Sequence, residues 1–120
     1  MRKMRSIGQI ALASTDPSRV AEFYESAFGF ARRASDDSGV DLQLGGLELS
    51  FRRGERAARE GMQLGFRVET AAEVDAWAQE LSRRGFALAG PPSGDRYEGT
   101  RSFRLADPDG RQVAVFFDYP

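Results

Sequence analysis

The sequence predicts an α+β chain built from two tandem βαβββ modules, and three observations carry that prediction. Strand-like alternation and helix-like spacing succeed each other in the same order in both halves. The opening strand and helix of each half match at a constant offset: Gln9, Asp16, Val20 and Phe23 correspond to Gln63, Thr70, Val74 and Trp77. Both helices then close on Gly-Phe, at Gly29-Phe30 and Gly85-Phe86. A repeat of this length is a stronger guide to architecture than any single motif.

The elements follow in order. "IGQIALAST" alternates and reads as a strand, and "DPSRVAEFYESAFGF" reads as a helix. Asp16 suits the N-cap, Pro17 the first helical turn, and Gly29 the stop. Val20, Phe23, Tyr24 and Ala27 fall at i, i+3, i+4 and i+7 and form the apolar stripe. Strands are expected at Ala31–Arg33, Val40–Leu44 and Leu47–Phe51, with a turn at Gly45-Gly46. "RRGERAAREG" is a charged connector. The second half opens with the strand "MQLGFRVE" and the helix "TAAEVDAWAQELSRRGF", where Thr70 and Glu73 make a capping box and Val74, Trp77 and Leu81 the stripe. Strands are expected at Phe86–Leu88, Thr100–Leu105 and Gln112–Phe117, with the turn-rich loop "AGPPSGDRYEGT" after the first of them. The last strand leaves the tight turn "DPDG", where Pro108 sets φ and Gly110 permits φ > 0. The expectation is one domain over residues 1–120, with modules at about 5–53 and 61–119.

Bulk composition removes several functional classes. The 120 residues carry a net charge of −1, so no overall field draws the chain to nucleic acid or anionic lipid. No apolar run approaches the ~20 residues of a membrane span. "MRKMR" is basic, but the apolar stretch behind it breaks at "STDPSR", so a cytoplasmic protein without a signal peptide is expected. The chain has no cysteine and no histidine. Disulfides, thiol nucleophiles, Cys/His zinc sites and histidine acid–base catalysis are therefore excluded within it. Its own chemistry is left to carboxylates, Tyr, Arg, Ser/Thr and the single lysine, Lys3.

Two βαβββ halves, with "D-P-S-R-x-x-x-F-Y-x-x-x-F-G-F" in the first and "D-P-D-G-R" before the last strand, resemble the vicinal oxygen chelate superfamily. That group includes glyoxalase I, extradiol dioxygenases, fosfomycin-resistance enzymes and bleomycin-resistance proteins. The resemblance spans essentially the whole chain and implies a curved, mostly antiparallel sheet around a cleft, with helices on the outer face. A shared fold of this kind does not specify an activity.

In metal-using relatives the first strand of each half carries a ligand, usually His, and the last strand another, usually Glu. The matching positions here are Gln9, Gln63, Glu48 and Ala114, the last in "V-A-V" where relatives read "V-E-V". One carboxylate with two neutral amides is a poor donor set for Zn²⁺, Ni²⁺ or Fe²⁺. No metal site and no cofactor are therefore expected. Gln9 and Gln63 read equally as cleft polar groups bonded to each other or to water. Glu48 in a partly buried cleft calls for a cation, and Arg104 and Arg67 have the strand parity to supply one.

Parity also sorts the strands. Gln9, Ala11, Asp41, Gln43, Glu48, Ser50, Gln63, Gly65, Arg67, Ser102, Arg104, Ala114 and Phe116 should face the cleft. Ile10, Leu12, Leu49, Phe51, Leu64, Phe66, Phe103, Leu105, Val113, Val115 and Phe117 should face the helices. Small residues at Ala11, Gly65 and Ala114 would widen the cleft, Phe116 would offer an aromatic face, and Tyr97 would reach in from the long loop. The expected ligand-binding set is Gln9, Gln43, Glu48, Ser50, Gln63, Arg67, Tyr97, Ser102, Arg104, Ala114 and Phe116.

Such a site suits a small organic ligand, an aromatic natural product being one candidate, held by stacking and a few hydrogen bonds. The first functional expectation is metal-independent binding and sequestration, as in the bleomycin-resistance proteins, whose "G-x-x-F-x-L-x-D-P-x-G-N" pattern "GTRSFRLADPDGR" resembles. The alternatives are a glyoxalase-like or dioxygenase-like enzyme, a metal-free enzyme with Glu48 as general base, or a ligand sensor without turnover. A homodimer is expected because open sheets leave edge strands to cover. Nucleic acid and membrane are not expected partners.

Overall fold

The structure, a computed structural model, describes residues 2–4, 6–55 and 62–120. The chain divides into two compact units, Met1–Glu60 and Gly61–Pro120. Residues 56–61 of the expected connector, and the outer module limits at Arg5 and Gly61, lie outside the described residues. Among the described residues no helix is long and apolar enough to cross a membrane.

The first module runs β1 (Gln9–Ser14), α1 (Pro17–Phe28), β2 (Ala31–Asp36), β3 (Gly39–Leu44) and β4 (Leu47–Arg53). Its sheet has the order β1-β4-β3-β2. β1 lies parallel to β4, while the β4–β3 and β3–β2 pairs are antiparallel. α1 begins as its cap residues dictate: Asp16 Oδ1 accepts from the Arg19 N–H at 3.3 Å, and Pro17 takes the first position, where no N–H is needed. It ends at Gly29, whose φ of 77° lies in the left-handed region that a residue with a Cβ adopts at a cost. Val20, Ala21, Tyr24 and Ala27 are buried on the helix, and Val40, Leu42, Leu49 and Phe51 on the sheet. Tyr24 stacks on Phe51 with ring centroids 5.3 Å apart and meets Phe30 edge-on at 5.9 Å. Burying such rings and branched chains is worth ~1.5–3 kcal/mol each, and it orients the opposite sheet face toward polar residues.

The second module runs β5 (Gln63–Arg67), α2 (Ala71–Arg83), β6 (Thr100–Ala106) and β7 (Gln112–Asp118). β7 is the middle strand, parallel to β5 and antiparallel to β6. Thr70 caps α2 by accepting from the Glu73 N–H at 3.1 Å, and its hydroxyl meets Glu73 Oε1 at 3.3 Å. Val74, Ala78 and Leu81 are the buried helix positions, with Phe103, Leu105, Val113 and Val115 buried on the strands. Trp77 is only half-buried, so Ala78 takes the inner place that the stripe assigned to it.

The expected strand at Phe86–Leu88 is reduced to a single bridge, Leu88 to Leu105. Its continuation shows why. The Ala89 N–H still reaches the Arg104 carbonyl at 2.7 Å, and Ser93 and Ser102 exchange two bonds at 2.9 Å. Between them stand Pro91 and Pro92, which have no N–H to give to a ladder. The other strands occur where the alternation placed them, most of them a residue or more longer.

Candidate functional site

In each module one sheet face carries the buried core and the other carries the predicted site residues. In the first module, register places Gln9 beside Glu48, Ala11 beside Ser50, and Asp41 beside Ser50 on the other flank. The Gln9 amide donates to Glu48 Oε2 at 2.5 Å. The same amide lies 3.4 Å from Ser50 Oγ. Ser50 is fully buried, and its hydroxyl donates to Asp41 Oδ1 at 2.8 Å. Asp41 in turn takes the Arg52 guanidinium at 2.8 Å. Gln43 sits at the margin of this row, accepting from Arg33 at 3.1 Å and donating to the Gly45 carbonyl at 2.7 Å. The face is therefore a continuous polar row over β1, β4 and β3, with two carboxylates on either side of one buried hydroxyl.

The second module uses the equivalent face differently. Arg104 pairs with Ala114 across β6 and β7, and Ala114 pairs with Gly65 across β7 and β5. Yet the Arg104 Nε donates to Gln63 Oε1, on β5, at 3.2 Å. That bond spans two strand spacings, about 9.6 Å, so the Arg104 side chain runs over the middle strand. Ala114 lies under this path and is 2% exposed. A methyl group is what allows the crossing. Beside Ala114, expected to open ligand space, stands this chain's own Arg104.

Phe116 is half-buried beside it. Its ring lies against Gly65, where an added Cβ would stand 3.0 Å from Phe116 Cε1. The Arg67 guanidinium covers the ring at 4.9 Å from its centroid and also pairs with Asp118 at 3.1 Å. The aromatic face expected for a ligand already holds a cation. Glu48, Arg104 and Arg67 each find a partner in their own module: Gln9, Gln63 and Asp118 respectively.

Of two further expected residues, one stands off and one joins the face. Tyr97 is fully exposed and does not join either face. Ser102 stands opposite Phe116, and its backbone is tied to Ser93. Asp41 and Asp118 were absent from the expected ligand-binding set although they hold its members in place. The signal for both was the two-residue strand period: Asp118 lies two beyond Phe116, and Asp41 two before Gln43. A groove of about 610 Å³ also opens in the second module between α2, at Asp75 and Gln79, and the segment at Leu88, Pro91 and Pro92. It lies away from the site residues. Its one carboxylate, Asp75, holds Arg101 at 2.8 Å, and this bond raises the Arg101 pKa above the usual value.

The turn that feeds β7 is also a charge cluster. Asp107 Oδ1 accepts from the N–H groups of Asp109 and Arg111, both at 2.9 Å. The Arg111 guanidinium lies 3.0 Å from Asp109 and 3.5 Å from Asp107, and the Asp107 and Arg111 side chains are fully buried. This closed arrangement starts β7 in the register that sets Ala114 and Phe116 on the polar face.

A divalent metal does not fit the four positions that the superfamily uses. The Gln63 oxygen that would ligate it already accepts from a guanidinium, and Ala114 offers no donor atom. Glu48 is the one anionic donor of the set, and Gln9 turns its own amide N–H toward that carboxylate rather than a carbonyl oxygen toward a cation. Among the described residues no three His, Cys, Asp or Glu side chains gather where they could hold a metal ion.

Comparisons with known proteins agree with this architecture. The structure is similar to that of a glyoxalase/bleomycin resistance protein/dioxygenase from Nocardioides, at 17% identity and a TM-score of 0.82, covering 98% of this chain and 86% of that one. A lactoylglutathione lyase from Agrobacterium tumefaciens aligns at 18% identity and a TM-score of 0.80, covering 97% and 96%. A glyoxalase/bleomycin resistance protein/dioxygenase from Alicyclobacillus acidocaldarius aligns at 19% and 0.79, covering 100% and 96%. At such identities the likeness is one of fold. No match was found among curated proteins. The family model for the Glyoxalase/Bleomycin resistance protein/Dioxygenase superfamily matches residues 6–115, and this chain belongs to that superfamily.

Proposed function

We propose that this protein binds and sequesters a small organic molecule, an antibiotic or other natural product, without a metal, on the polar faces of its sheets. One observation supports the reading above all. At the superfamily's metal positions the side chains are used by each other: Gln9 holds Glu48, and Arg104 holds Gln63 over Ala114. What these faces still offer a ligand is amide, hydroxyl, guanidinium and aromatic surface, which suits hydrogen bonding and stacking. We place the protein in the cytoplasm as a homodimer.

A thermal-shift screen against natural products, run with added divalent metals and with chelator, tests the proposal. A ligand at 100 times its dissociation constant stabilises the folded chain by ~2.7 kcal/mol. The expected result is an organic ligand whose shift is the same with chelator. A stoichiometric metal in protein purified without chelator, lost on Glu48→Gln, would overturn it.

A further inference from the structure

We propose that the polar face of the second module is a receptor for a planar monocarboxylate, an aromatic acid, with Arg104 as the group that takes the anion. The inference rests on the reading that these sheet faces hold an organic ligand, and it names the class. The charged groups on this face of β5, β6 and β7 are Arg67, Arg104 and Asp118. Arg67 and Asp118 offset each other at 3.1 Å, whereas the Arg104 bond goes to Gln63, a neutral amide, and among the described residues no carboxylate forms an ion pair with Arg104. One net positive charge calls for a monoanion.

The geometry selects a carboxylate. Gln63 takes the Arg104 Nε, and the two Nη groups remain as a flat fork on an exposed side chain. Such a fork matches the two coplanar oxygens of a carboxylate. Gln63 thus acts as a positioning residue, holding the guanidinium above the middle strand instead of leaving it free to turn. The aromatic part follows from what lies alongside. Gly65, on which the Phe116 ring rests, is two residues from Gln63, about 6.6 Å along β5. Arg67 Cζ stands over that ring, 4.9 Å from its centroid, and adds a second delocalised group beside it. A single aromatic ring with its carboxylate spans from this surface to the fork.

Titration of the whole chain by calorimetry and NMR, in low-chloride buffer, compares benzoate and 1-naphthoate with their neutral amides. The acids should bind at least about tenfold tighter than the amides, the effect of one charge-assisted two-pronged contact. Arg104→Gln should weaken the acids by at least the same factor and leave the amides unchanged. Arg104→Lys, which keeps the charge and loses the fork, should fall between. Arg104 is exposed, so the variants are expected to keep the melting temperature of the parent, and that measurement accompanies each titration. Equal affinity for acids and amides, no binding of the acids, or an Arg104→Gln chain that binds them undiminished overturns the proposal. If the acids fail while the natural-product screen yields ligands, the carboxylate assignment alone falls. If nothing binds in either, the reading beneath it falls too.

Discussion

Asp107→Ala probes the buried ion cluster at the turn that leads into β7. The side chains of Asp107 and Arg111 are fully buried, and the Asp107 carboxylate also takes two backbone N–H groups at 2.9 Å. Removing it takes one carboxylate from the buried Arg111 guanidinium, which keeps Asp109 at 3.0 Å among its partners. Breaking a buried pair by deleting one partner costs ~3–5 kcal/mol, because the other charge stays desolvated. Against a total stability of ~5–15 kcal/mol this is a large share. Urea unfolding followed by the intrinsic fluorescence of Trp77 is the assay. With a slope of ~2 kcal/mol per molar urea, the midpoint should fall by about 2 M. Asp107→Asn keeps an oxygen for the two N–H groups and loses only the charge, so it should cost ~1–3 kcal/mol. An Asp107→Ala loss below ~1 kcal/mol would show that the cluster is not what holds the turn, and the account of β7 register would fail with it.

Three further outcomes are expected. Ala114→Glu should displace Arg104 from Gln63 and abolish anion binding, while the new carboxylate, directly across from Arg104, pairs with it and limits the stability loss to below ~3 kcal/mol in urea melts; a variant that still binds the acids like the parent would contradict the crossing of Arg104 over Ala114. The Asp36 carboxyl is held below its ordinary pKa of 3.8, first by the Ser38 hydroxyl and then by the Ser38 N–H, with a smaller contribution from the Gly39 N–H. Its contribution should be complete above that ordinary value and vanish as pH falls through the lowered one, so the stability gap between parent and Asp36→Ala should close in acid melts and not in neutral ones. Sedimentation should give a homodimer, because each sheet has outer strands to cover, β1 and β2 in one and β5 and β6 in the other; a monomer at high micromolar concentration would refute it.

Much of the fold was open to reading because its signals are local. Asp16, Pro17 and Gly29 mark the ends of α1 through backbone groups within four residues of them. Alternation put Gln9, Glu48 and Ser50 on one face and Leu49 and Phe51 on the other, and register bears this out. Where a local signal misled, another local feature overrode it: Phe86–Leu88 alternates like a strand, but Pro91 and Pro92 stop the ladder.

The partners within the site were not open in the same way. Parity identified Arg104, Arg67 and Glu48 as residues of the polar faces, and charge alone then suggested pairing Glu48 with an arginine. The structure gives Glu48 to Gln9, Arg67 to Asp118 and Arg104 to Gln63. The last of these depends on strand order. Gln63 and Arg104 are 41 residues apart and become neighbours because β7 enters between β5 and β6 with an alanine at the crossing point. Sequence alone determined the two modules, their helix ends and the inward and outward sides of each strand, since those follow from the periods of a single chain segment. Which side chains meet on a face was decided by the tertiary structure, because a contact across three strands is set by their order and register, and no local period encodes either.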